Sequence, residues 1–191
     1  DGMGGHKDGG RASELATQTV GRVVINHILG EPNKRDIHTP TKPSIEHVLE
    51  AALLQCHQDV THQVPEGGTT LTAALILNHS VSLAHIGDSR AYLVKDDSSI
   101  SQLTKDHSLV QRMIDEGQIT DDQREIHPQR NVLYQAIGQG NNLDIDLHTH
   151  PMPPGTKLLL CSDGLWGMLG DSLLRQIINE NQNVQPTCDR L

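Results

Sequence analysis

Three places in the sequence set an acid beside a glycine at the end of an apolar stretch or of the chain: Asp1-Gly2, Gly87-Asp88-Ser89-Arg90, and Leu158-Leu159-Leu160-Cys161-Ser162-Asp163-Gly164. The last is an apolar run that matches a strand covered on both faces, and a carboxylate delivered from such a strand is costly unless something pairs with it. A bound cation would do so. Magnesium and manganese prefer oxygen ligands and keep part of their hydration shell, so a few carboxylates suffice, and Asp1, Asp88 and Asp163 supply them. The neighbouring glycines admit close backbone approach and expose a carbonyl as a further ligand. Two such ions sharing a water lower its pKa and clamp both oxygens of a phosphoryl transfer. The pattern therefore suits phosphate-ester hydrolysis.

These acids need elements to carry them. Gly4-Gly5-His6-Lys7-Asp8-Gly9-Gly10 is a glycine-rich loop leading into a helix whose one-sided apolar face is Ala12, Leu15, Ala16, Val20, Val23, Val24 and Leu29. Gly30 is placed to stop it, and the polar stretch from Glu31 to Lys42 reads as a surface loop. Pro43-Ser44 starts a second helix with Ile45, Val48, Leu49, Ala52, Cys56 and Val60 on its apolar side. From Gly67 the period becomes strand-like, predicting strands at Thr69 to Leu77, Val81 to Ile86, Ala91 to Val94 and Ile100 to Leu103. Their links, at Asn78 to Ser80, Gly87 to Arg90 and Asp96 to Ser99, are short, which implies antiparallel hairpins.

A short helix follows at Leu109 to Ile114, ending at Gly117, and Thr120 with Gln123 resembles a capping box. The polar insert 108–130 is read as a flap between strand blocks. Strands are expected again at Val132 to Ile137 and Leu143 to His148, then a rigid proline turn at Pro151 to Gly155 leads into the run before Asp163. Asp171 is placed to cap a helix carrying Leu173, Leu174, Ile177 and Ile178, and another helix starts near Gln185. Runs of helices and runs of antiparallel strands, without regular βαβ alternation, indicate an α+β layered domain.

At 191 residues the chain has room for one domain with a sizeable core. Both ends read as cuts through a larger domain, so residues 1–191 are taken as a single incomplete one. A net charge of -9 with scattered Lys and Arg argues against a nucleic-acid or anionic-membrane surface and fits an acidic, cation-concentrating site. No apolar run approaches the roughly 20 residues needed to cross a bilayer. Cys56, Cys161 and Cys188 are odd in number and widely spaced, without a CxxC pair, which reads as reduced cysteines of a cytoplasmic protein. With no Phe, the core must come from Leu, Ile, Val and Ala.

Five segments then carry a resemblance. Asp1-Gly2-Met3-Gly4-Gly5-His6, Gly68-Thr69-Thr70, His85-Ile86-Gly87-Asp88-Ser89-Arg90-Ala91-Tyr92, Leu103-Thr104-Lys105-Asp106-His107-Ser108 and Cys161-Ser162-Asp163-Gly164-Leu165-Trp166 resemble, in order and spacing, the motifs of metal-dependent protein phosphatases of the type 2C (PPM) family in bacterial form. Any one alone would mean little; five in sequence are specific. The resemblance implies an antiparallel β-sandwich flanked by helix pairs, a four-layer αββα arrangement. It also implies a binuclear Mg2+ or Mn2+ site that hydrolyses phosphoserine and phosphothreonine in proteins, with no covalent phosphoenzyme. Asp1 resembles the carboxylate bridging two ions, Gly2 the residue whose carbonyl binds one, and Asp163 a direct ligand. Asp88 matches the acid associated with a third, weaker metal, and His6 resembles the general acid for the leaving serine oxygen. Phosphorylated Ser/Thr proteins and a cognate Ser/Thr kinase are the implied partners, and the chain is taken as a monomer.

The family's opening strand, with its phosphate-binding arginine and an acid, would precede Asp1, and its closing Asp-Asn motif would follow Leu191. Their absence from these residues leaves a second reading, a catalytically inactive phosphatase-like regulatory or binding module. Plainer roles stand beside the chemical ones: Asp163 as a cap for the turn before Leu165, Asp88 as a hairpin acid salt-bridged to Arg90, His6 as a loop residue. His148 and His150 share a strand face that could hold a stray metal, Cys161 is core, Trp166 packs the turn, and Gly68 to Thr70 open a strand.

Overall fold

The computed structural model describes residues 1–3, 8–29, 43–95, 99–180 and 183–191. The glycine-rich loop 4–7, Gly30, the segment 31–42 and the turn residues 96–98 lie outside the described residues, as does the side chain of Asp171. The chain divides into two compact units, one of Asp1–Gly87 with Gln135–Pro151 and one of Asp88–Tyr134 with Met152–Leu191.

The first unit is a helix pair on a three-stranded antiparallel sheet. Helix α1 (Gly9–Leu29) turns Ala12, Ala16 and Thr19 inward, and these small side chains let it lie close against α2 (Ile45–Gln63). Its last turn departs from expectation: Leu29, assigned to the apolar face, is 75 % exposed among the described residues. Helix α2 starts where Ser44 accepts the His47 N–H at 3.3 Å, and it buries Val48, Leu49, Ala52, Leu53, Cys56 and Val60. Against them lie Ala84, Ile86, Ile137 and the half-buried Leu71, Leu75 and Leu147.

The sheet runs β1 (Leu71–Leu77), β2 (Ser80–Ile86), β5 (Asp146–Pro151), with β2 central. Asn78 and His79 join β1 to β2 with φ of 47° and 60°, the paired positive values that a two-residue hairpin requires. Strand β5 begins later than expected and takes in Pro151, which pairs with Ser80; an outer strand tolerates the missing N–H.

The second unit has its own antiparallel sheet, ordered β4 (Ile100–Gln102), β3 (Arg90–Val94), β6 (Lys157–Cys161). Strand β3 is buried throughout, and its Tyr92 and Val94 meet Leu174 and Ile178 from α4 (Asp163–Glu180). Helix α4 breaks at Gly170, where φ is 66°, and α5 (Val184–Arg190) packs beside it with an Arg190–Glu180 ion pair at 2.8 Å. Helix α3 (Leu109–Asp115) starts at Ser108, whose hydroxyl accepts from Gln111 N, and stops before Gly117. A single 3-10 turn, Asp121–Gln123, follows, with the Gln123 side chain accepting from Thr120 N at 2.8 Å as a capping box requires.

Three expectations need correction. The short link Gly87 to Arg90 does not close a hairpin: β2 and β3 belong to different sheets, and the turn hands the chain from one unit to the other. Residues Val132 to Ile137 form no strand, because Leu133 bridges Ser108 while Ile137 bridges Thr69, so opposite ends answer to different neighbours. The run before Asp163 is a strand but not a doubly covered one. It lies at the outside of its sheet with Leu160 45 % exposed.

Candidate active site

Asp88 opens the second unit directly after β2 and Gly87, and within that unit β6 delivers Asp163 to the first position of α4. Gly87 is obligatory there: its φ is 107°, and an added Cβ would sit 2.6 Å from Thr70 Cβ. Asp88 is 8 % exposed. Burial, then the nearby charges of Asp163 and Asp106, push its carboxyl up to about 6, while a backbone hydrogen bond and Arg90 pull the other way. Two carboxylates, one of them raised by the other's charge, form a set of hard oxygen donors suited to a divalent cation.

Asp163 is exposed and accepts no hydrogen bond among the described residues; the Leu165 N–H donates instead to Ser162 O at 3.1 Å, so the capping alternative makes no bond among them. Asp88 does not form the salt bridge to Arg90 that its plainer reading needs. Arg90 gives both ends of its guanidinium to Asp106, Nε–Oδ1 at 2.8 Å and Nη2–Oδ2 at 2.6 Å, and donates to Tyr92 Oη at 3.0 Å. Burial opposes the Arg90 charge, but these bonds more than offset it and hold the group above its ordinary value. The same guanidinium stacks 3.7 Å from the Trp166 ring, and Trp166 Nε1 donates to the Asp88 carbonyl at 2.9 Å. Trp166 therefore ties the backbone of one acid to the helix that begins with the other.

A cavity of about 760 Å³ opens in this unit, and Asp88, Asp163, Trp166, Asp121, Arg130 and Asn131 line it. Arg130 is exposed and makes no ion pair among the described residues, so a cation faces the same space as the two acids. Sequence reasoning missed Arg130. Its signal was a lone arginine in the polar turn His127-Pro128-Gln129-Arg130-Asn131, which spacing alone cannot aim.

In the first unit, the chain start docks beside β1. The Asp1 carbonyl accepts from Thr70 N at 2.9 Å and Thr69 Oγ1 at 2.7 Å; Gly2 bridges Thr69, and Met3 N donates to Gly68 O at 3.0 Å. An added Cβ at Gly2 would come 2.2 Å from the Gly9 carbonyl oxygen, so glycine is required. Gly68-Thr69-Thr70 thus do more than open a strand: they hold the Asp1-Gly2 backbone.

The expected ligands divide between the units, Asp1 and Gly2 in one and Asp88 and Asp163 in the other, and His6 lies outside the described residues. Among the described residues no group of three or more His, Cys, Asp or Glu side chains closes round one point, at His148 and His150 or elsewhere. Two carboxylates are nevertheless compatible with an ion that keeps most of its water.

Comparison with known proteins decides the family. The model of protein phosphatase 2C matches residues 1–188. The chain belongs to the protein phosphatase 2C family. Protein phosphatase PhpP of Streptococcus pneumoniae is 36% identical over 182 residues, covering 95% of this chain and 71% of PhpP. Serine/threonine phosphatase stp of Listeria innocua is 32% identical over 189 residues, covering 99% and 73%. The solved Mycobacterium tuberculosis serine/threonine phosphatase PstP/Ppp superposes with a TM-score of 0.81 at 32% identity, over 100% of this chain and 77% of that one. A structure of the PstP catalytic domain, in complex with two manganese ions, gives a TM-score of 0.74 at 29% identity, over 100% and 76%. The α+β fold class expected from the runs of helices and antiparallel strands therefore holds, as does the bacterial type of the resemblance.

Proposed function

We propose that Asp1, the Gly2 carbonyl, Asp88 and Asp163 hold Mg2+ or Mn2+ in this type 2C phosphatase, with Asp88 serving a third, weaker site. As a member of this family the chain is a metal-dependent protein serine/threonine phosphatase. The observation that carries the site reading is the pairing of Asp88 and Asp163, close enough to raise Asp88's proton affinity, on the wall of a cavity that also presents Arg130. When bound, the ions supply Lewis acidity and charge neutralisation for in-line hydrolysis of a phosphate ester.

The chain's own residues do the rest. Arg130 offers a guanidinium fork to the phosphoryl oxygens, which a planar donor pair matches well. Trp166 and Arg90 keep Asp88 and Asp163 in register. His6 protonates the departing serine or threonine oxygen, and segment 108–130, as a flap, shapes the cavity for phosphorylated protein segments. None of Cys56, Cys161 and Cys188 forms a disulfide among the described residues, which supports a reducing, cytoplasmic setting. No described helix is long and apolar enough to cross a membrane. A monomer acting on phosphoproteins, among them a cognate Ser/Thr kinase, completes the reading.

The test is manganese-dependent phosphate release from a phosphothreonine peptide, alongside calorimetric manganese titration of the same chain. Chelation abolishes release, and Asp163→Asn lowers kcat/KM by about 100-fold or more while weakening manganese binding. Full activity and unchanged binding in that variant would remove Asp163 from the site. Manganese binding without any turnover would instead favour the regulatory-module reading.

A further inference from the structure

Asp106, from the Leu103 to Ser108 motif, is 1 % exposed yet shared by two arginines. Arg90 holds it from β3, and Arg124 reaches it from segment 108–130, Nη1–Oδ2 at 3.3 Å. The same Arg124 guanidinium donates to Gln111 Oε1 on α3 at 2.6 Å and to Asp121 Oδ1 in the 3-10 turn at 2.9 and 3.0 Å. One side chain thus ties three points of the segment to the strand that follows Asp88.

Packing supplies little of that order. Helix α3 buries Val110 alone, and the 3-10 turn buries nothing. The root of the segment is also held by Leu109 N donating to Val132 O, by Tyr134 N donating to His107 O and by an exposed Lys105–Asp115 ion pair at 2.7 Å. Its far part depends on polar bonds, of which Arg124 makes the densest set.

We propose that Arg124 and Asp106 form a latch that sets segment 108–130 over the cavity, making Arg124 a positioning residue for phosphoprotein substrates large enough to meet that segment. The cavity carries Asp121 and Arg130 from the segment on the same lining as Asp88 and Asp163, so a shift of the segment reshapes the space in which a peptide must lie. A small phosphate ester, needing only the floor, is less affected. The kinetic arm rests on the phosphatase reading; the structural arm does not.

The experiment is amide hydrogen exchange on the full chain and its Arg124→Gln variant, with steady-state kinetics on a phosphothreonine peptide and on p-nitrophenyl phosphate. In the variant, exchange at Gly117, Gln118, Gln123 and Arg124 rises about tenfold while β3 and β6 keep their protection. The peptide KM rises about tenfold more than the p-nitrophenyl phosphate KM, and Arg124→Lys, which keeps the charge but not the fork, falls between. Unchanged exchange in the segment, an equal rise across β3 and β6, or matched changes in both KM values would each overturn the latch. Absence of turnover in the parent chain would sink the phosphatase reading and leave the exchange result to decide the latch.

Discussion

Asp88 carries two opposed demands, a buried position and a charge. Its carboxyl is raised from 3.8 to about 6, so between those values the folded protein binds more protons than the unfolded chain. Stability contributed by this group is therefore present at acid pH and lost as pH rises through 6, at a cost of about 3 kcal/mol for the metal-free protein. Asp88→Asn removes that cost. Urea unfolding of the metal-free variant and parent should give midpoints that diverge from pH 4 to pH 7, the variant becoming the more stable by about 2 to 3 kcal/mol. A constant offset would show that Asp88 does not titrate in this range. The same residue is one a cation would relieve, so the variant gains stability and loses manganese affinity together.

At the level of elements, the passage from β2 to β3 is the sharpest constraint. Gly87→Ala must accept a φ of 107° and a Cβ 2.6 Å from Thr70, which should cost about 2 to 4 kcal/mol in urea unfolding. A loss under about 0.5 kcal/mol would mean that the turn relaxes freely. Helix α2 gives the matching test for packing: Leu53 is fully buried, and Leu53→Ala should cost about 2 to 5 kcal/mol. Helix α2 and the β1–β2 hairpin were legible beforehand because their signals are local, a cap at Ser44 and turn residues between two apolar runs. The Val132 to Ile137 segment was not, since its apolar residues look like a strand until its two ends pair with different units.

Across the whole molecule, each unit has its own sheet and its own core, and the proposed ligands come from both. Metal binding then stabilises the native chain by linkage. Manganese at one hundred times its dissociation constant should add about 2.7 kcal/mol, read as a melting temperature that rises with manganese and returns on chelation. Asp163→Asn should shrink that rise; an equal rise in the variant would place the ion elsewhere.

The order of motifs from Asp1 to Trp166 was enough to name the family and the metal class, because those depend on residue types at fixed chain positions. The partners of those residues were settled in three dimensions. Arg90 belongs to Asp106 rather than to Asp88, Trp166 holds the Asp88 carbonyl, burial and neighbouring acids push the Asp88 carboxyl up to about 6, and Arg130 lines the same cavity as the two acids. Each of these depends on which distant side chains share a buried, weakly screened space, and distance through space is not a property of spacing along the chain.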